Sequence, residues 1–359
     1  MKILTVVGAR PQFVKAAVVS RSLGSINGIT EVLVHTGQHY DTNMSDIFFE
    51  EMALPKPAYQ LQIRETLHGA MTGKMLEALE QVMLREKPAT VLVYGDTNST
   101  LAATLAASKL QIPVSHVEAG LRSYQMDMPE EINRIVTDRL SRDLFCPTRE
   151  AILNLEKEGF KNYDASIHLS GDVMMDAVKY YFEKSRPEIL NKMELKKGQY
   201  FLATVHRAEN TNDGNRLHSI ISALNQLHKQ APVVVPLHPR TLKYLAAYGI
   251  TPAFRIVEPQ GYTDMLQLIA GSRLILTDSG GLQKEAFFLD KFCITLRDQT
   301  EWTELTASGV NILTGANTQR ILDAADTFLN RSFPQQQAFY GDGHAGEKIS
   351  EILEKRYLH

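Results

Sequence analysis

The chain has 359 residues, with 38 lysines and arginines against 41 aspartates and glutamates, for a net charge of −3. That balance gives no basic field to hold a nucleic acid. A content of 44% hydrophobic and 22% charged residues is that of a folded globular chain, and the length calls for two domains rather than one core.

The first segment, MKILTVVGAR, has one lysine and a short apolar run that ends at an arginine. It reads as a first β-strand, not a signal peptide, and no later run approaches the ~18 apolar residues of a membrane helix. A helix is expected over PQFVKAAVVSRSL, then a strand at EVLVHTG. Further on come the strand ATVLVYG, a helix over STLAATLAASKL and the strand PVSHVEA. Short β-branched runs that are apolar throughout fit parallel strands covered on both faces. After about residue 170 the pattern restarts with FLATVH. A helix follows over RLHSIISALNQLHKQ, with Leu217, Ile220, Ile221, Leu224 and Leu227 at helical spacing. The strands PVVVPLH, FRIVEP, RLILTDSG and KFCITL and the helices YTDMLQLIAG and GLQKEAFF complete the second series.

Two βαβ series predict an α/β protein with two doubly wound sheets and right-handed crossovers. The expected division is a first domain of residues 1–170 and a second of 171–343, with the stretch around 170–182 connecting them. The final helix, near residues 344–356, is expected to pack back on the first domain. Cys146 and Cys293 lie far apart in apolar runs. They read as buried free thiols, which suits a reducing cytosol and a cytoplasmic protein.

In open α/β sheets ligands sit beyond the carboxyl ends of the strands, and nearly every strand end here is polar. The first delivers Gly8, Arg10 and Lys15, and the second His35, Gln38 and His39. Asp96, Thr97 and Asn98 follow the third, and His116 and Glu118 follow HVEAG's strand. In the second half the ends deliver His206, Arg207 and Glu209, then His238 and Arg240, then Ser279, Gly280 and Gly281. LTDSGGLQKEA is the most readable. Two glycines open a helix whose N-terminus suits a phosphate, and Glu285 follows where it can accept from ribose hydroxyls. Asp96 reads either as a helix cap or as a functional acid, and His206 either as a core histidine or as a site residue. Glu118 is hard to explain as a cap. Glu130 and Glu131 follow Pro129 and could serve the helix dipole alone. Lys15, Lys284 and the arginines are cations for a diphosphate. No metal site is expected, because the histidines stand on different strands and no HxxxH or cysteine cluster occurs. No GxxxxGK[ST] or GxGxxG is present, which disfavours a P-loop ATPase or a dinucleotide oxidoreductase.

MKILTVVGARPQFVK, VYGDTNSTLAA, HVEAGLRS, MPEEINR, HRAEN, LTDSGGLQKEA and RDQTEW occur in this order. Together they resemble the non-hydrolysing UDP-N-acetylglucosamine 2-epimerases from residue 1 to about 340. The resemblance implies two Rossmann-like domains of the glycosyltransferase-B type with the nucleotide sugar in the interdomain cleft. It implies C2 inversion through loss and re-addition of UDP, with no cofactor, in a homodimer. Asp96, Glu118, Glu130 and His206 match the family's catalytic group. Ser279, Gly280 and Gly281 match its diphosphate site, Glu285 its ribose site, and Arg10 and Arg134 its phosphate ligands. Uracil would rest against backbone near Met265, and Lys15 and Arg207 stand with the substrate-binding cations. RDQTEW where the family usually has RDTTER, and GDTNST in place of GDTTTT, resemble the branch acting on UDP-2,3-diacetamido-2,3-dideoxy-glucuronate, a surface-polysaccharide precursor. Two alternatives are a UDP-sugar transferase of the same architecture and a non-catalytic nucleotide-sugar sensor.

Overall fold

The structure is a computed structural model that describes residues 1–38, 52, 54–237, 239–335 and 338–358, without the side chain of Arg10. The chain divides into two compact units. One comprises Met1–Ala177 with Ala338–His359, the other Val178–Gln337.

In the first unit β1 (Lys2–Val7), α1 (Arg10–Gly24), β2 (Thr30–His35) and β3 (Tyr59–Gln60) precede α2 (His68–Glu86). Then follow β4 (Thr90–Tyr94), α3 (Asn98–Lys109), β5 (Val114–Val117), α4 (Pro129–Leu140), β6 (Asp143–Cys146), α5 (Arg149–Lys157) and β7 (Ser166–Leu169). Helix α6 (Val173–Lys184) spans the division. The units therefore part inside a continuous helix, a few residues beyond the expected break at 170.

The second unit continues with α7 (Glu188–Lys192), β8 (Phe201–Thr204), α8 (Ala208–Thr211), α9 (Gly214–His228), β9 (Val233–Pro236) and α10 (Pro239–Ala247). It ends with β10 (Arg255–Val257), α11 (Tyr262–Gly271), β11 (Leu274–Thr277), α12 (Gly280–Phe288), β12 (Cys293–Thr295), α13 (Thr303–Ala307), β13 (Asn311–Leu313) and α14 (Thr318–Leu329). The last helix, α15 (Ala345–Tyr357), belongs to the first unit.

The first sheet runs β3-β2-β1-β4-β5-β6-β7 and the second β10-β9-β8-β11-β12-β13, with every pairing parallel. The order reverses once in each, at β1/β4 and at β8/β11. At such switch points the loops diverge and leave room for a ligand. The strands are apolar because helices cover both faces. Val91, Leu92, Val93 and Tyr94 of β4 are all fully buried, as are Leu274, Ile275, Leu276 and Thr277 of β11 within 1%.

Helix α15 lies on α1 so closely that a Cβ on Gly346 would come 2.6 Å from Val18 Cγ1. Cys146 and Cys293 are free and buried. Burial raises both thiols, that of Cys293 to about 12. Among the described residues no helix is long and apolar enough to cross a membrane.

Candidate active site

At the β1/β4 switch point the backbone must turn sharply. Gly8 has no room for a side chain against Ser99 and Thr36. Its N–H and that of Ala9 donate to Gln12 Oε1 at 2.8 and 3.1 Å, and Gln12 Nε2 donates to Tyr94 O at 2.8 Å. One buried glutamine thus ties the end of β1 to the end of β4. Beyond them Gly95 has φ +60, a left-handed turn that precedes Asp96. The helix cap here is Thr97, whose hydroxyl accepts from Thr100 N. Asp96 is therefore not the cap.

Glu118 follows β5 with φ +73, a conformation rarely taken by a residue with a Cβ and retained mostly where function needs it. Its carboxylate pairs with the Lys15 ammonium, and both side chains are largely buried. A Cβ on Gly95 would stand 3.1 Å from Glu118 Oε2, so the Asp96 turn and the Glu118–Lys15 pair are neighbours. Asp96 pairs in turn with Arg134. Lys15 and Arg134 are thus engaged by carboxylates of the chain itself.

Arg134 also meets Glu131 at 3.0 Å. Glu131 is fully buried and accepts from the Ser123 N–H, the Ser123 hydroxyl and the Tyr124 N–H at 2.8–3.1 Å. It pins the loop after β5 to α4, a larger task than serving the helix dipole. Glu130, its neighbour in sequence, is exposed.

The residue that organises this cluster, Asp138, carried no signal in the sequence. It is buried on α4, and its carboxylate takes His116 Nδ1 at 2.7 Å, the Gly120 N–H at 3.1 Å and Arg122 Nη1 at 2.7 Å. Burial would raise its carboxyl, but the His116 and Arg122 contacts hold it below the usual range. His116 Nε2 faces the Gly95 carbonyl at 2.8 Å. Both ring nitrogens of His116 are thus taken up by partners within the fold. One carboxylate therefore fixes the loops that carry Asp96 and Glu118, and His116 is a support.

The second unit repeats the plan at β8/β11. Asp278, at the end of β11, is fully buried and accepts from the His206 and Arg207 N–H groups at 3.0 Å each and from Asn210 Nδ2 at 3.2 Å. It also meets His206 Nδ1 at 3.1 Å. Burial again opposes its ionisation, yet the His206 contact and these N–H groups lower its carboxyl. The His206 side chain is 51% exposed, with Nδ1 held from behind and Nε2 on the outer side of the ring. A histidine aligned by a buried carboxylate is suited to moving a proton.

Ser279 caps α12, its hydroxyl accepting from Leu282 N at 3.4 Å. A Cβ on Gly280 would come 2.5 Å from Glu301 Oε1, while the space beside Gly281 is open. Trp302 Nε1 donates to the Gly280 carbonyl at 3.0 Å, and Lys284 Nζ sits 4.0 Å from the centre of the Trp302 ring. Lys284 is buried in that contact and is not a solvent-facing cation for a diphosphate. Arg297, missed in the sequence reading, is buried beside Glu301 at 3.0 Å, with no partner for its Nε among the described residues. Glu285 is buried on α12, and Met265 is half-buried on α11. The side chain of Arg10, and His39 and His238, lie outside the described residues. Among the described residues no group of three or more histidines, cysteines or acids could hold a metal ion.

A family model described as UDP-N-acetylglucosamine 2-epimerase matches residues 21–354. The chain is 52% identical over 356 residues to the UDP-2,3-diacetamido-2,3-dideoxy-D-glucuronate 2-epimerase of Pseudomonas aeruginosa, covering 99% of this chain and 100% of that one. Its fold matches the Methanocaldococcus jannaschii UDP-GlcNAc 2-epimerase solved with UDP-GlcNAc and UDP. The TM-score is 0.91 at 41% identity, over 99% and 100% of the two chains. It matches the Neisseria meningitidis UDP-GlcNAc 2-epimerase bound to UDP-GlcNAc with a TM-score of 0.89 at 33% identity, again over 99% and 100%.

Proposed function

The chain belongs to the UDP-N-acetylglucosamine 2-epimerase family, and on that premise we propose how its residues invert C2 of a UDP-sugar. It is an isomerase, a non-hydrolysing UDP-sugar 2-epimerase. The identity of 52% over nearly the full chain supports UDP-2,3-diacetamido-2,3-dideoxy-glucuronate as its sugar, with UDP-N-acetylglucosamine as the second candidate. The product then serves as a surface-polysaccharide precursor.

The observation that carries the mechanism is the cation-paired carboxylates Asp96 and Glu118, held at the β1/β4 switch point by one buried support. The C2 proton is not acidic while the anomeric C–O bond is intact. When that bond breaks, the electron pair leaves with UDP, positive charge develops on the ring, and C2–H becomes acidic. The N-terminus of α12 at Ser279, Gly280 and Gly281 stabilises the departing diphosphate, with Arg10 and Arg207 as cations. Glu285 takes the ribose hydroxyls, and the backbone near Met265 the uracil. Asp96, Glu118, Glu130 and His206 supply the base that removes the proton and the acid that returns one to the opposite face. UDP then re-adds at C1. Lys15 and Arg134 act through the carboxylates they hold. Buried free thiols support a cytoplasmic location. We also propose a homodimer, which light scattering tests.

The experiment is proton NMR of the protein in D2O with each sugar. Deuterium at C2 together with a manno-configured product is expected. Free sugar without C2 exchange would mean hydrolysis, and turnover only with an acceptor would mean a transferase.

A further inference from the structure

A chain of side chains leads from Asp96 to a residue on another helix that the mechanism above does not use. Asn133 Nδ2, on α4, donates to the Asp96 carbonyl at 2.9 Å and to Asn98 Oδ1 at 3.3 Å. That places the Asn98 amide nitrogen on the far side, where it meets His68 Nδ1 at 3.1 Å and Met71 Sδ at 3.4 Å. Asn98 and Asn133 are buried, at 6% and 5% exposure, whereas His68 is exposed. The Asn98 amide engages His68 Nδ1, through its nitrogen at 3.1 Å and its oxygen at 3.5 Å, so Nε2 is the outer edge of the ring. The first residue of α2 thus presents its Nε2 edge at the carboxyl-end face of the first sheet, where ligands bind.

Resting on the epimerase reading, we propose that His68 is a specificity residue that donates its Nε2–H to the acyl oxygen of an acetamido group at C3 of the sugar. The argument is one of neighbours. If Asp96 works at C2, the groups beside it reach a ring neighbour of C2. One neighbour, C1, carries the UDP, and the other is C3. C3 is also where the two candidate sugars differ, with a hydroxyl on one and an acetamido on the other. Asn98, Asn133 and His68 form a set without a carboxylate or a permanent cation, which suits a neutral amide better than the C6 carboxylate of a uronate. Sites that hydrogen-bond a substrate group reject analogues lacking it, because the oriented partner is left unpaired.

The test uses two UDP-uronates that differ only at C3, the 2,3-diacetamido sugar and its 2-acetamido-3-hydroxy counterpart. For wild type, His68→Ala and His68→Gln, one measures kcat/KM by C2 deuterium exchange, inhibition constants where a sugar is not turned over, and UDP affinity by calorimetry. The expected result is a wild-type preference for the 3-acetamido sugar that falls about three- to tenfold in His68→Ala. The fall should reside in KM, with partial recovery in His68→Gln and no change in UDP affinity. Equal losses on both sugars, an unchanged ratio, or a wild-type preference for the 3-hydroxyl would each overturn the assignment. Absence of C2 exchange by wild type on any UDP-sugar would remove the epimerase reading itself, a different result from a lost ratio.

Discussion

Glu130 and Glu131 are adjacent acids at the start of one helix, and their surroundings separate them. Glu131 is an acceptor for three loop donors and an arginine in the interior, and breaking such a buried pair leaves charges uncompensated. Glu131→Ala should cost about 3–5 kcal/mol, read as a lowered denaturant midpoint. Glu130→Gln, at an exposed position, should change stability by less than about 0.5 kcal/mol and still abolish most turnover. Normal turnover in Glu130→Gln would withdraw it from the catalytic group. Asp278→Asn removes the charge behind His206. By analogy with a histidine deprived of its aligning carboxylate, kcat should fall about 10²- to 10⁴-fold with UDP affinity retained; loss of UDP affinity in the same measure would make Asp278 a fold residue only. Asp96, Glu118, His206 and the serine–glycine turn could be proposed from the sequence because each stands at a strand end, where chemistry in this fold class collects. Asp138 stayed hidden. On α4 it reads as an ordinary helix acid, and only the approach of the β5 loop gives it His116, Gly120 and Arg122 as partners.

Among the elements, the strands were readable because burial on both faces writes them as unbroken apolar runs. Helix α2 was not. Its buried face of Met75, Leu79, Val82 and Met83 is correctly spaced, but Gly69 and Gly73 dilute the first turns, where apolar residues would have announced it. Helix α15 shows what a terminal element contributes. Asp143, fully buried at the start of β6, takes Tyr357 Oη at 2.5 Å, Arg356 Nη1 at 3.1 Å and Ser115 Oγ at 3.3 Å. Burial and then the Asp143 contact push the Tyr357 hydroxyl up to about 12. At the other end of the helix Asp176 Oδ2 accepts from Gly346 N at 2.8 Å. The helix is thus fastened at both ends as well as along its apolar face. Tyr357→Phe leaves Asp143 one donor short and should cost about 1–2 kcal/mol. Hydrogen exchange should report the loss first in α15 and α1. Uniform loss of protection across both units would mean that α15 is not a separate fastening.

At the scale of the whole molecule, buried carboxyl groups of two kinds set opposing pH dependences. Asp138 and Asp278 are held below their ordinary range despite burial, through contacts with His116 and Arg122 in one case and with His206 and backbone N–H groups in the other. Their stabilisation is present above the unfolded-state value of about 3.9 and is lost as pH falls through the lowered folded values. Glu31 and Asp176 are shifted the other way. Glu31 on β2 is raised chiefly by burial, offset in part by the Thr5 and Ser20 hydroxyls at 2.5 and 3.0 Å. Asp176 is raised by burial more than the Gly346 and Ala345 N–H groups lower it. A raised carboxyl stabilises the fold while it keeps its proton, and that contribution disappears as pH rises through its folded value. Glu31→Gln keeps an acceptor for the two hydroxyls and removes the ionisation. The variant should lose less stability than wild type between about pH 4 and pH 8, while its acid limb, set by Asp138 and Asp278, stays in place. Denaturant midpoints across that range decide the matter. A Glu31→Gln curve parallel to wild type would mean that Glu31 ionises in the folded chain as readily as in the unfolded one.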